Sequence, residues 1–144
     1  PDVPHPHSVE SCSENGVSFS TAIEPFMTAL RECDILIAHN LAFDKGIIAY
    51  ELNLRRMQGL CAEFEALATK KGFCTMLNTV SLCKIPHSNS KAYSKFKWPR
   101  LDELYTHLTG SAPTLALHDA MNDVYVMKTC ATLLADRGLA GLVT

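Results

Sequence analysis

Apolar residues recur along this chain with two different periods. Ile23, Phe26, Met27 and Leu30 fall on one side of a 3.6-residue repeat. That spacing predicts a helix over 18–32, with Ser18 or Ser20 as its cap and Pro25 in its early turns. Asp34-Ile35-Leu36-Ile37-Ala38 is a short apolar run closed by polar residues. A strand buried on both faces of a helix-covered parallel sheet has this pattern. Asn40 is placed to cap a helix over 41–57, with Phe43, Ile47, Ile48, Tyr50, Leu52 and Leu54 as its apolar faces. Residues 60–72 are ambiguous, a short helix ending at Lys71-Gly72 being one reading. Phe73-Cys74-Thr75-Met76-Leu77 is a second candidate buried strand, with a short helix after it to Lys84.

A polar loop over Pro86–Lys97 follows. Pro99 then opens a helix to about Leu108 that Gly110 closes. The last element is a helix over 117–137, with Ala120, Val124, Met127, Ala131 and Leu134 at helical spacing and Gly138 at its end. Residues 1–18 hold three of the seven prolines and predict an irregular lead-in. Helices alternating with strands argue an α/β fold with parallel pairing. Two strands make a thin sheet, so further strands are expected upstream of Pro1.

Composition narrows the class without choosing a function. The 144 residues suit one domain over 1–144, and 47% hydrophobic with 19% charged residues is ordinary for a globular chain. A net charge of −2 gives no global basic field, yet an enzyme holding metal ions in carboxylates can still bind phosphates locally. Six cysteines, none spaced Cys-x-x-Cys, predict buried reduced thiols and a reducing, cytoplasm-like compartment. No apolar run is long enough to span a membrane. The chain shows no signal peptide and no initiator Met, and is expected to be a processed or excised piece.

Two segments carry candidate chemistry. In the first, the strand ending at Ala38 gives way to His39-Asn40 and then to a helix with Asp44 in its first turn. The carboxyl end of a parallel strand is where α/β proteins bind ligands. The plain alternative is a capped helix start with Asp44 compensating the dipole. In the second, His118-Asp119-Ala120-Met121-Asn122-Asp123 opens the long helix. Positions 120, 123, 124 and 127 share a face, and an acid beside an apolar stripe is costly unless paired or metal-bound. The plain alternative is again a polar helix start. His5 and His7 have no further ligands at a spacing that would make a metal site.

Together these segments resemble the DnaQ-like 3′→5′ exonucleases, the DEDDh branch of the ribonuclease H-like fold. His39-Asn40-Leu41-Ala42-Phe43-Asp44 matches that family's His-Asn-x-x-Phe-Asp, and His118-Asp119-Ala120-Met121-Asn122-Asp123 matches its His-x-Ala-x-x-Asp. Trp98 to Tyr105 is similar to its Pro-x-Leu-x-x-Leu-Tyr stretch, and His7-Ser8-Val9 with Gly16-Val17 is a weaker match to its His-Gly-Ile lead-in. The family's opening Asp-x-Glu occurs nowhere in this sequence.

The resemblance implies a ribonuclease H-like α/β fold, truncated at its N-terminus, with a short parallel sheet flanked by helices. It implies two-metal phosphodiester hydrolysis at the 3′ end of DNA or RNA, with Mg²⁺ or Mn²⁺ ions about 4 Å apart. Asp44 and Asp123 would be metal ligands and His118 the general base. His39, Asn40 and Phe43 would line the terminal-nucleotide pocket. The partners implied are a single-stranded 3′ end and, in proofreading, a DNA polymerase, with no membrane. The loop Lys91–Trp98 mixes cations with aromatics as single-strand binders do, or is a solvated loop with Trp98 packed inside. Two rivals remain: a non-catalytic, partner-binding remnant of a replication protein, and an all-helical HD-type metallophosphohydrolase built on His39, His118-Asp119 and a further Asp.

Overall fold

In the computed structural model, which describes residues 8–88, 94–115, 117, 119–139 and 141, helix appears earlier than the proline-rich lead-in suggests. Ser8 Oγ accepts the Ser11 N–H at 3.1 Å and starts α1, Val9–Asn15. Ser18 then caps α2, Phe19–Glu32, by accepting the Thr21 N–H. The apolar face of α2 buries Ile23, Met27 and Leu30, as its spacing predicts.

Strand β1 is Leu36–Ala38 and pairs in parallel with β2, Gly72–Cys74. Leu36 lies opposite Gly72, Ile37 opposite Phe73 and Ala38 opposite Cys74. Both strands are shorter than the apolar runs predict. After Cys74 the chain turns into α5, Thr75–Asn78, and α6, Val80–Cys83. Thr79 Oγ1 donates to the Thr75 carbonyl at 2.7 Å, and Asn78 Nδ2 donates to the Cys74 carbonyl at 2.8 Å. Such side-chain bonds to the preceding turn compete with a sheet ladder and end the strand.

Between the strands run α3, Leu41–Leu54, and α4, Gln58–Lys71. Helix α3 stops three residues before the predicted Met57. The Met57 N–H bonds the Leu52 carbonyl and the Arg56 N–H bonds that of Asn53, with Arg56 at φ 59°. This is a Schellman ending in which arginine occupies the left-handed position usually given to glycine, so the sequence lacked its usual stop signal. Helix α4 is a full element where the sequence was ambiguous, with Cys61, Phe64 and Ala68 buried on one face. Helix α7, Leu101–Thr109, ends at Gly110 with φ 81°. Helix α8, Ala120–Asp136, closes the described fold.

The molecule is therefore mixed α/β, mostly helical, with a short two-stranded parallel sheet. One core cluster joins α2, α3 and α4 around Met27, Leu52 and Phe64, and a second joins α7 and α8 through Leu104, Leu108, Cys130 and Leu134. Full burial of each such side chain contributes roughly 1.5–3 kcal/mol. Lys71, at the end of α4, donates to the carbonyls of Leu30, Arg31 and Cys33, so one ammonium ties the end of α2 to the start of β2. Among the described residues no helix is long and apolar enough to cross a membrane. The cysteines Cys33, Cys61, Cys74, Cys83 and Cys130 are free thiols. The parallel sheet and the position of His39 directly after β1 rule against the all-helical HD-type reading, which needs that histidine on a helix.

Candidate functional site

The carboxyl end of β1 opens into a cleft of about 770 Å³. Its floor is Ile37, Ala38 and His39. One wall is Arg100, Leu101 and Asp102 at the start of α7, and the other is Ala120, Asp123, Val124 and Met127 on α8. Asp44, from the first turn of α3, also lines it. The fold thus brings Asp44 and Asp123, from the two sequence segments, onto one cleft. Helical geometry explains Asp123. The buried side of α8 is Val126, Cys130, Ala131 and Leu134, so the face holding 120, 123, 124 and 127 turns to the cleft rather than to the core. The stripe read from the sequence as one core face is therefore divided between core and cleft. Asp119 caps α8, accepting the Met121 and Asn122 N–H groups at 3.1 Å.

Asp44 keeps contact with solvent, yet the protein around it pushes its carboxyl above the ordinary 3.8 by burial. A divalent cation would relieve that cost, and two carboxylates supply the hard oxygen donors such an ion prefers. Among the described residues no group of three or more His, Cys, Asp or Glu side chains is placed to hold a metal ion. These two carboxylates alone would make only part of a metal site.

His39 spends both ring nitrogens inside the protein. Nε2 lies 3.0 Å from the Pro99 carbonyl and Nδ1 lies 3.0 Å from Thr75 Oγ1. A carbonyl only accepts, so Nε2 carries a proton and donates. Burial holds the His39 pKa below 6.5, against the opposing pull of the Pro99 carbonyl and Asp102. Nδ1 faces the Thr75 hydroxyl, which also bonds the Ala38 carbonyl at 3.3 Å. His39 locks the end of β1 to the start of α5 and to the segment before α7, leaving only its ring surface for a ligand.

Asn40 does not cap α3 through its side chain, contrary to the sequence expectation. It sits at φ 68°, ψ 49°, a left-handed conformation that asparagine tolerates better than most residues. Phe43 is 63% exposed, and neither it nor Asn40 lines the cleft. Trp98 is not packed inside either, being 64% exposed, while its neighbour Pro99 is fully buried. His118, His5, His7 and Lys91–Tyr93 lie outside the described residues.

The sequence reading passed over Arg100 and Asp102. The Arg100 guanidinium donates to both Asp102 oxygens, from Nε at 3.0 Å and from Nη2 at 2.6 Å. This pairing holds the Asp102 carboxyl below its usual range. An Arg-x-Asp pair just after a buried proline was the available signal, but it reads equally as ordinary helix-start charge. Comparisons with protein-family models, with curated proteins and with solved structures found no match to this chain.

Proposed function

We propose that the chain is the larger part of a metal-dependent 3′→5′ exonuclease domain of the ribonuclease H-like type. The observation that carries this reading is the meeting of Asp44 and Asp123 on one cleft at the carboxyl end of β1. Two acids about 80 residues apart in sequence have no structural need to share a cleft. Each stands in the first turn of its helix. On this reading Asp44 and Asp123 hold Mg²⁺ or Mn²⁺, which supplies positive charge to the attacking and leaving oxygens of the phosphodiester. His118 takes the proton of the attacking water, a task suited to a group that titrates near neutrality. His39 keeps the strand end and the α7 start in place around the scissile bond. Substrates are single-stranded 3′ ends of DNA or RNA, handled in a reducing compartment, with proofreading beside a polymerase as one setting.

Two further acids are needed, and the resemblance assigns them to an Asp-x-Glu strand that this sequence lacks. That absence favours one alternative, a non-catalytic remnant that binds nucleic acid or a replication partner. An activity assay separates the two. The 144-residue chain, and the same chain extended at its N-terminus by strands bearing Asp-x-Glu, are incubated with a labelled single-stranded oligonucleotide and Mg²⁺. Stepwise 3′ trimming is expected from the extended protein and none from the chain alone. Asp123→Asn or His118→Ala should cut the trimming rate on the order of 10²-fold or more with the fold retained. No trimming by the extended protein, or trimming that survives Asp123→Asn, would overturn the exonuclease reading.

A further inference from the structure

Residues 97–100 form a strap without regular secondary structure leading into α7, anchored along its length. The Lys97 N–H bonds the Ile85 carbonyl at 2.9 Å, and Lys97 Nζ bonds Glu103 Oε1 at 2.6 Å. The Pro99 ring is buried and its carbonyl is held by His39 Nε2. The Arg100 N–H donates to Glu103 Oε2 at 2.8 Å. Lys97 is half-buried and Pro99 buried, whereas Trp98 and Arg100 are both exposed. Arg100 lines the cleft with Asp44 and Asp123, and among its described lining residues it carries the one permanent positive charge.

We propose that this strap is a binding element for single-stranded nucleic acid, in which Arg100 takes a backbone phosphate and Trp98 stacks on a base. The inference rests on the exonuclease reading for its ligand class but does not depend on hydrolysis. A polyanion entering a cleft lined by carboxylates needs a cation at the point of entry. A guanidinium held flat by a bidentate carboxylate is pre-organised to exchange that partner for phosphate oxygens. An exposed tryptophan two residues away offers the sequence-tolerant stacking surface that single-strand binders use.

Trp98 is the single tryptophan of the chain, so its emission reports this position alone. The 144-residue chain is titrated, in chelator, with a short oligodeoxynucleotide, its ribose counterpart and an abasic strand of equal charge. Binding is followed in parallel by anisotropy of a labelled strand. Base-bearing strands should quench Trp98, whereas the abasic strand binds without quenching. Both sugars are expected to bind, and the tighter of the two identifies the preferred strand. Arg100→Gln should weaken binding about tenfold and flatten the salt dependence by about one phosphate contact. The double variant Arg100→Gln with Asp102→Asn, which restores the charge balance, should stay weak. Recovery of affinity in the double variant would mean that Arg100 only shields Asp102, and would overturn the proposal. Absence of binding, or binding without quenching, would overturn it equally. Quenching without trimming by the extended protein would leave the strap standing and remove the nuclease reading. Trimming without any response of Trp98 or Arg100 would do the reverse.

Discussion

At the scale of single residues, His39 and Asp44 show burial acting on opposite kinds of group. His39 is a base whose neutral form burial favours, against the Pro99 carbonyl and Asp102, which favour the charged ring. Asp44 is an acid whose charged form is penalised, and burial is the one cause of its shift. A folded-state pKa raised above the unfolded value means that the folded protein holds its proton more tightly. The stability this contributes is present below pH 3.8 and is lost as pH rises through the raised value. At neutral pH, without a cation, the ionised Asp44 is therefore expected to weaken the fold it serves. Asp44→Asn should melt at a higher temperature than the parent near neutral pH in chelator, and the difference should vanish below about pH 3.8, where both side chains are neutral. Thermal melts at the two pH values test this. A variant that melts below the parent at neutral pH would show that the Asp44 carboxylate is stabilising as it stands.

At the scale of elements, the junction of α4 and β2 leaves least room for change. A Cβ added at Gly72 would overlap the Ala68 carbonyl oxygen and come within 2.7 Å of Leu41 Cδ2. Gly72 has an ordinary extended backbone, so space and not conformational freedom demands glycine there. Gly72→Ala should cost about 1–3 kcal/mol, the usual penalty of overpacking, read as a lower urea midpoint with an unchanged slope. An unchanged midpoint would show that α4 can shift freely against α3. This junction also marks where the sequence was legible. The order from α2 to α3, both strands and the last two helices were readable from apolar spacing and runs, the stop at Gly110 from its glycine, and the α2 cap as one of two serines. Asp44 was readable as a cleft candidate because it follows the end of a predicted strand, and Asp123 because it lies beside the apolar stripe of the last helix. Helix α4 was not, because Cys61, Phe64 and Ala68 make a thin stripe. The early end of α3 was hidden because Arg56, and no glycine, takes the left-handed position. Arg100 and Asp102 were missed because a charge pair at a helix start has the same spacing on any surface helix.

At the scale of the whole molecule, periodicity reports a face without saying what covers it. Phe43, Ile47, Tyr50 and Leu54 repeat along one side of α3 and were expected to pack. They are instead 63%, 50%, 63% and 62% exposed. Strand β1 pairs with β2 alone among the described residues, so its other edge carries no described strand. An apolar stripe and a sheet edge with nothing paired to it both favour association. On the exonuclease reading, strands bearing Asp-x-Glu would extend the sheet beside β1, covering apolar surface and bringing the two further acids to the cleft. The 144-residue chain should accordingly self-associate as its concentration rises, seen as growing mass in sedimentation velocity. Ile47→Lys combined with Leu54→Glu should restore a monomer with unchanged helix content, since both side chains are already half or more in water. The extended protein should be monomeric without those substitutions and should gain its Mg²⁺-dependent trimming from the same added strands. A parent that stays monomeric at every concentration would show that the α3 stripe is stable in water. An extended protein that still associates through Ile47 and Leu54 would place the added strands somewhere other than against α3.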